Sequence, residues 1–174
     1  AALIGSGRVR KMICSFPRST DPRAFSVQYT AGRIELELVP QGTLAERLRA
    51  GGAGIPAFYT RSGVGTELSI GKESREFDGR TYILERALRG DFALVKALRA
   101  DTFGNLVFNK AARNFGPVMC TAAARTIVQV SEVVEAGGLD PEHIVTPGIF
   151  VDHLVEVGAP AQEEVLVRQG AVYP

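Results

Sequence analysis

The segment Pro40-Gln41-Gly42-Thr43 combines residue types that could bind a polar ligand. Gln41 carries two amide N–H donors and one carbonyl acceptor, and it follows the strand-like run 34–39. Gly42 has no side chain and would let a ligand approach the backbone closely. The alternative is an ordinary turn in which Gly42 supplies a positive φ. Because ligands of open α/β sheets bind beyond the carboxyl ends of strands, this segment is a candidate binding site.

A second candidate is the glycine-rich turn Gly51-Gly52-Ala53-Gly54, which Phe58 follows closely. The backbone N–H groups of such a turn can hold an anion. The turn has neither the Gly-Lys-Ser/Thr of a phosphate loop nor the GxGxxG of a dinucleotide-binding fold. Since the end of a helix needs only one glycine, the excess indicates close approach of a ligand or of another chain.

A third candidate is Asn114, which lies with Arg113 just before a helix predicted to begin at Pro117. Arg113 could meet an anionic group. A lone arginine is more often solvated or salt-bridged, and that simpler interpretation is favoured here.

The chain offers no convincing nucleophile, metal ligand or general base. Both cysteines lie in apolar runs, where thiols are normally inert. The serines lack a GxSxG context, and the histidines lack the spacing of metal ligands. In the run 34–39 apolar residues alternate with Glu35 and Glu37, which predicts that the two glutamates share a solvated face of the strand. The residues considered are Cys14, Cys120, Ser15, Ser19, Ser62, His143, His153, Glu35 and Glu37. If the chain belongs to an enzyme, the reacting group comes from elsewhere.

Composition excludes several classes of protein. The 174 residues contain 20 Lys+Arg and 19 Asp+Glu, so the formal net charge is +1 and no field attracts nucleic acid or an anionic membrane. Two distant cysteines exclude a disulfide framework, and no apolar run reaches the roughly 20 residues of a membrane span. These features predict a cytoplasmic protein with one domain over residues 1–157 and a loosely held tail over 158–174. The chain starts without Met, and we expect its true beginning to lie upstream.

Predicted strands and helices alternate along most of the chain, which indicates the α/β class. The expected architecture is an open, mostly parallel sheet flanked by helices, with a small antiparallel hairpin inserted at Asp78-Gly79. Asp21-Pro22 predicts a helix start, and Thr43 with Glu46 predicts a capping box at the start of a second helix. The predicted strands are 9–16, 34–39, 55–60, 74–77, 80–85, 93–98, 106–108, 126–130 and 149–157, and the predicted helices are 22–30, 43–52 and 117–124.

Four long motifs resemble the α subunit of family I coenzyme A transferases, the 3-oxoacid type. They are the run from Ile34 to Thr60, GDFALVKALRAD at 90–101, GNLVFNKAARNFGPVM at 104–119 and HIVTPGIFVDHLVEV at 143–157. The resemblance covers about residues 7–157. Within the family, CSFPR at 14–18 and AARNFGPVM at 111–119 look most like the 3-oxoadipate enzymes of aromatic degradation.

The resemblance implies a CoA-transferase that is active only with a β subunit, in a heterodimer or heterotetramer. A glutamate of the β subunit would attack the acyl-CoA and carry CoA as a thioester from succinyl-CoA to a 3-oxo acid in a ping-pong reaction. No cofactor or metal is expected, since the CoA thioesters are substrates. No catalytic residue is expected in this chain. The residues expected to contact the acyl group or CoA are Gln41, Gly42, Gly51, Gly52, Ala53, Gly54, Phe58 and Asn114.

Other assignments remain open from the sequence. The acceptor could be acetoacetate, or the enzyme could be an acetate:acetoacetyl-CoA transferase. A more remote alternative is a non-catalytic domain that binds a sugar phosphate or acts as a scaffold. The sequence also lacks the Gly-Gly-Phe signature near the N-terminus of family α subunits, which agrees with a missing upstream segment.

Overall fold

A computed structural model describes residues 2–17 and 21–159 of the chain. The helices are α1 (Ala2–Gly5), α2 (Pro22–Thr30), α3 (Gln41–Gly52) and α4 (Gly116–Ala122). The strands are β1 (Lys11–Cys14), β2 (Glu35–Leu38), β3 (Ala57–Thr60), β4 (Ser74–Phe77), β5 (Arg80–Arg86), β6 (Gly90–Lys96), β7 (Arg99–Asp101), β8 (Leu106–Val107), β9 (Ala123–Val130), β10 (Glu132–Val134) and β11 (His153–Glu156). Short 3-10 turns occur at Glu67–Ser69, Lys110–Arg113, Pro141–His143 and Gly148–Phe150. None of the described helices is long and apolar enough to cross a membrane.

The described residues form two compact units. The first unit contains residues up to 44 together with 62–70, and the second contains 45–61 and 71–159. The long helix α3 therefore begins in the first unit and ends in the second. The prediction of one domain over residues 1–157 stays a prediction, and residues 160–174 of the predicted tail lie outside the described residues.

The first unit is built on the parallel pair of β1 and β2, in which Lys11 lies beside Glu35 and Cys14 beside Leu38. The Lys11 ammonium lies 2.8 Å from a Glu35 oxygen and 2.9 Å from a Glu37 oxygen. These hydrogen bonds raise the pKa of Lys11 above its ordinary value. The predicted alternation is confirmed, because both glutamates reach the same lysine from one face of β2.

The start of α2 agrees with the prediction, whereas the start of α3 does not. The Asp21 carboxylate accepts from the Arg23 N–H at 3.0 Å and caps α2. Helix α3 begins at Gln41, two residues before the predicted cap, and the Leu44 N–H donates to the Pro40 carbonyl at 2.9 Å. Thr43 thus lies inside the first turn, and its buried Oγ1 has no hydrogen-bond partner among the described residues. The predicted capping box is wrong, since Glu46 pairs instead with Arg49 at 2.6 Å.

The second unit contains the predicted hairpin and the main hydrophobic core. In the antiparallel sheet β3-β5-β4, Asp78 and Gly79 turn the chain with φ of 50° and 68°, the signs that a type I′ turn requires. The parallel sheet β11-β9-β6 packs against α4, and Leu106, Val128 and Val130 are almost completely buried. Burying each of these side chains contributes about 1.5–3 kcal/mol.

The predicted fold class is confirmed, since parallel strands flanked by helices carry an inserted antiparallel hairpin. The strands are divided among four small sheets, which the sequence pattern did not indicate. The last strand is shorter than predicted, because residues 148–150 form a 3-10 turn and β11 begins only at His153.

Two glycines of α3 are fixed by close packing of the chain on itself. A Cβ at Gly51 would lie 2.3 Å from the Leu88 carbonyl oxygen, and one at Gly52 would lie 2.4 Å from Thr121 Oγ1. A Cβ at Gly42, in the first turn of the same helix, would meet nothing within 4 Å. The two ends of α3 therefore tolerate a methyl group very differently.

We expect Gly51→Ala to lower the free energy of unfolding by about 1–3 kcal/mol, because the methyl group collides with backbone. Gly42→Ala is the matched control, and we expect it to be neutral or to stabilise the helix by up to about 1 kcal/mol. Urea denaturation of the full chain measures both. Equal stabilities of the two variants would contradict the packing at Leu88.

Candidate functional site

A cleft of about 410 Å³ lies at the carboxyl ends of β1 and β2, within the first unit. The strands are parallel, so the segments that follow them emerge at the same edge. Ser15 follows β1, and Val39 and Pro40 follow β2 and lead into α3. The residues that line the cleft are Ser15, Leu38, Val39, Pro40, Thr66, Glu67 and Leu68.

Gln41 lies at this edge as the exposed first residue of α3. The Ser15 hydroxyl donates to its carbonyl Oε1 at 3.2 Å. This bond directs the amide group, and no acceptor among the described residues lies within hydrogen-bond distance of Nε2. Two N–H donors therefore remain for a ligand at the first turn of a helix, where the helix dipole also favours negative charge.

The opposite wall of the cleft comes from the loop 62–70, which local hydrogen bonds hold. The Thr66 hydroxyl donates to the Gly63 carbonyl at 2.7 Å and accepts from the Leu68 N–H at 3.3 Å. The sequence pattern did not identify Thr66, Glu67 or the role of Ser15 as parts of a site. The hydrogen bond that caps the 3-10 turn at Thr66 involves only neighbouring residues. That Thr66 and Ser15 line the same cleft depends on tertiary packing.

The described part of the cleft contains no activated nucleophile. Ser15 donates to an amide and not to a base. The Cys14 thiol, at the end of β1, has its pKa raised by burial, so it stays neutral at physiological pH. Glu67 is exposed and is the one ionisable side chain among the described residues that line the cleft. The arrangement can donate hydrogen bonds to a bound acyl group or carboxylate.

The glycine turn consists of the last two residues of α3 and the two residues that follow it, in the second unit. The N–H groups of Ala53 and Gly54 already donate to the carbonyls of Arg49 and Gly51, at 3.0 and 3.3 Å. Gly54 has a φ of +72° and open space where a side chain would be. The close approach that the sequence indicated at Gly51 and Gly52 is made by the chain's own Leu88 and Thr121.

Phe58 and Asn114 also lie in the second unit. Phe58 is half-buried on β3 and lies opposite Glu85 of β5, whose buried carboxylate binds Lys72. Asn114 is exposed, has a φ of 39° and donates its N–H to the Ala111 carbonyl at 3.2 Å. Of the predicted site residues, Gln41 and Gly42 thus follow Pro40, which lines the cleft of the first unit, and the ligand contacts of all eight residues stay a prediction.

Within residues 2–17 and 21–159, no group of three or more His, Cys, Asp or Glu side chains is arranged to hold a metal ion. His143 pairs with Asp140 at 3.1 Å. The Asp152 carboxylate accepts from the Thr126 N–H at 2.7 Å, and this bond, followed by the nearby Arg125, lowers the pKa of Asp152. The carboxylates of Asp140 and Asp152 therefore make contacts that stabilise the second unit.

Comparison with known proteins identifies similar sequences and structures. Residues 1–157 match the profile of the family described as coenzyme A transferase. The chain is 57% identical over 165 residues to one subunit of the 3-oxoadipate CoA-transferase of Pseudomonas putida, covering 95% of this chain and 71% of that protein. It is 53% identical to one subunit of the probable succinyl-CoA:3-ketoacid coenzyme A transferase of Bacillus subtilis, covering 95% of this chain and 68% of that protein.

A solved structure shares the fold. An acyl-CoA transferase from E. coli O157:H7, in a thioester complex with CoA, superposes with a TM-score of 0.70 at 25% identity. The superposition covers 80% of this chain and 34% of that one.

The two cysteines provide a test of the described packing. Burial raises the pKa of Cys120 to about 11, and the residue is 2% exposed. About one Cys120 in a thousand is a thiolate at pH 8, so we expect no reaction with an aromatic disulfide reagent in the native chain. Cys14 is half-buried and should react slowly.

The measurement compares the absorbance released by native and urea-unfolded chains. The Cys14→Ser variant should release nothing until it unfolds, whereas Cys120→Ala should keep the slow native reaction. Rapid native reaction of Cys14→Ser would show that Cys120 is accessible.

Proposed function

The chain belongs to the coenzyme A transferase family, and from this premise we propose that it is the α subunit of an enzyme that transfers CoA from succinyl-CoA to a 3-oxo acid. The proposed acceptor is 3-oxoadipate. The observation that carries this choice is the 57% identity to the Pseudomonas putida protein over 95% of the chain. Acetoacetate is the second candidate acceptor, because the Bacillus subtilis relative is 53% identical.

The nucleophile of the proposed reaction is a glutamate that a β subunit supplies. Its carboxylate attacks the thioester carbonyl of succinyl-CoA, and the C–S bond breaks to give an acyl anhydride and CoA thiolate. The thiolate attacks the glutamyl carbonyl of the anhydride, which releases succinate and leaves a glutamyl-CoA thioester. The 3-oxo acid then repeats the two steps in reverse order and leaves as its CoA thioester, with the glutamate restored. The described part of the first unit's cleft contains no activated nucleophile, which supports a nucleophile from the β subunit.

Gln41 is the residue of this chain that we propose to act in these steps. Each attack on a carbonyl places negative charge on its oxygen, and fixed N–H donors stabilise that charge in the transition state. Ser15 holds the Gln41 carbonyl at 3.2 Å and so fixes the direction of its N–H groups. The start of α3 adds a favourable dipole at the same place. We place the reacting acyl group in the cleft lined by Pro40 and Thr66.

An uncovered sheet face supports the proposed partner. The alternate residues Phe92 and Leu94 of β6 are 66% and 70% exposed, and Val155 of β11 is 45% exposed. All three belong to the parallel sheet β11-β9-β6, and the faces of parallel sheets are usually covered. A heterodimer or heterotetramer with a β subunit would shield such a face.

We propose a cytoplasmic location and no cofactor beyond the CoA thioesters that are exchanged. The two free cysteines support a reducing compartment. The proposed chemistry transfers acyl groups between oxygen and sulfur and needs neither a redox group nor a metal.

Gln41→Ala should lower kcat/KM of the αβ complex by about 10²-fold, because one donor to the developing oxyanion is lost. Ser15→Ala keeps the amide and loses only its orienting bond, so we expect a loss of about fivefold. Steady-state assays of CoA transfer measure both, and gel filtration verifies that each variant still forms the complex. Unchanged kinetics in Gln41→Ala would assign Gln41 to the fold and not to the reaction.

The reaction class itself is tested by co-expressing the full chain with a β-type subunit that carries a Ser-Glu-Asn-Gly segment. We expect succinyl-CoA to give CoA thioesters of 3-oxoadipate faster than of acetoacetate. Borohydride should reduce the glutamyl thioester and change the mass of one peptide of the β subunit, after incubation with succinyl-CoA alone. A stable complex without turnover would reject the proposal, and faster use of acetoacetate would reassign the acceptor.

A further inference from the structure

A second cleft, of about 270 Å³, lies within the second unit at the carboxyl ends of two parallel strands. Ala97 follows β6 and Ser131 follows β9, and these strands pair along their length. None of the residues predicted to bind substrate lines it. The lining residues are Lys96, Ala97, Leu98, Asn109, Ala112 and Ser131.

Backbone hydrogen bonds fix the walls of this cleft. The Ser131 N–H donates to the Leu98 carbonyl at 3.0 Å, and the Leu98 N–H donates to the Val107 carbonyl at 2.8 Å. The Ala112 N–H donates to the Asn109 carbonyl at 3.0 Å and closes the turn that forms the third wall. The cavity is therefore preformed, and a ligand that binds it orders little of the backbone.

Three polar side chains that line the cleft have no partner in the described part of the chain. Within the described residues, Lys96 forms no ion pair and the Ser131 hydroxyl forms no hydrogen bond. Asn109 precedes the 3-10 turn Lys110–Arg113, where an asparagine commonly caps, yet its side chain makes no capping bond. An ammonium, an amide and a hydroxyl thus remain available at one cavity.

The backbone beside the cleft adopts unusual conformations. Lys110 and Asn114, at the two ends of the same turn, have positive φ of 52° and 39°. Non-glycine residues rarely adopt such angles, and they cluster where a loop is held for binding. Here they place Asn109 and Ala112 against the ends of the strands.

We propose that this cleft binds a small organic carboxylate. Lys96 would pair with the carboxylate, and Asn109 and Ser131 would donate hydrogen bonds to it. Ala97, Leu98 and Ala112 would contact a short apolar body. The volume of about 270 Å³ accommodates a carboxylate that carries a short carbon chain.

A phosphate is a poorer fit than a carboxylate. The lining residues include no arginine, which binds phosphate with two parallel donors, and no glycine. The Ala112, Ser131 and Leu98 N–H groups, which could otherwise face an anion, already donate to carbonyl oxygens. The available donors are single side-chain groups next to apolar carbon.

The test is calorimetric titration of the full chain with butyrate, and separately with inorganic phosphate. We expect saturable binding of butyrate that is tighter than that of phosphate. Lys96→Ala should weaken butyrate binding at least tenfold, and Lys96→Arg should keep most of it. Lys96 is exposed, so the thermal midpoint of each variant should stay unchanged.

Two control variants locate the site. Arg80→Ala removes an exposed charge from the hairpin, and Gln41→Ala removes the amide proposed for CoA transfer; each should change the butyrate affinity less than twofold. Absence of saturable binding, equal affinity in wild type and Lys96→Ala, tighter binding of phosphate, or loss of binding in Gln41→Ala would each overturn the proposal. Since no catalytic turnover is measured, the outcome is independent of the proposed transferase activity.

Discussion

Parallel pairing of strands places the groups of both candidate clefts in this protein. Two parallel strands end at the same edge, so the segments that leave them must meet there. β1 and β2 bring Ser15 and the start of α3 together in the first unit. β6 and β9 bring Lys96 and Ser131 to one cleft in the second. The same geometric rule therefore generates two sites with different chemistry.

Charge and burial decide what each cleft can do. In the first, the thiol of Cys14 is kept neutral by burial and Ser15 is bonded to an amide, so the described groups donate hydrogen bonds and do not attack. This agrees with a family in which transfer needs a carboxylate from a second subunit, which the resemblance implies. In the second, Lys96 has no ion-pair partner among the described residues and lies beside apolar carbon.

Close packing explains part of the glycine content that first indicated a ligand. Gly51 and Gly52 let α3 approach Leu88 and Thr121, at distances that no side chain could occupy. The hydrogen bonds of Ala53 and Gly54 are likewise made within the turn. A glycine cluster indicates that another group packs closely against the backbone. Which group this is depends on residues that are 30 to 70 positions away in this sequence.

Local patterns determined much of this structure. Asp21-Pro22, the alternation at 34–39 and Asp78-Gly79 each act through neighbouring residues, and each produced the predicted element. The four long motifs also indicate the family from the sequence alone. The predicted capping box is wrong because α3 already begins at Gln41, after Pro40, and Thr43 therefore does not occupy the cap position.

The sequence by itself therefore determined the α/β class, most of the elements and the place of Gln41 at the end of a strand. Only the tertiary structure decided that Ser15 orients Gln41, that Thr66 and Glu67 form the opposite wall, and that Lys96 meets Ser131. The physical reason is the range of the interactions. Capping, alternation and tight turns involve neighbours within a few residues, whereas these meetings depend on strand register and loop packing across long stretches of chain.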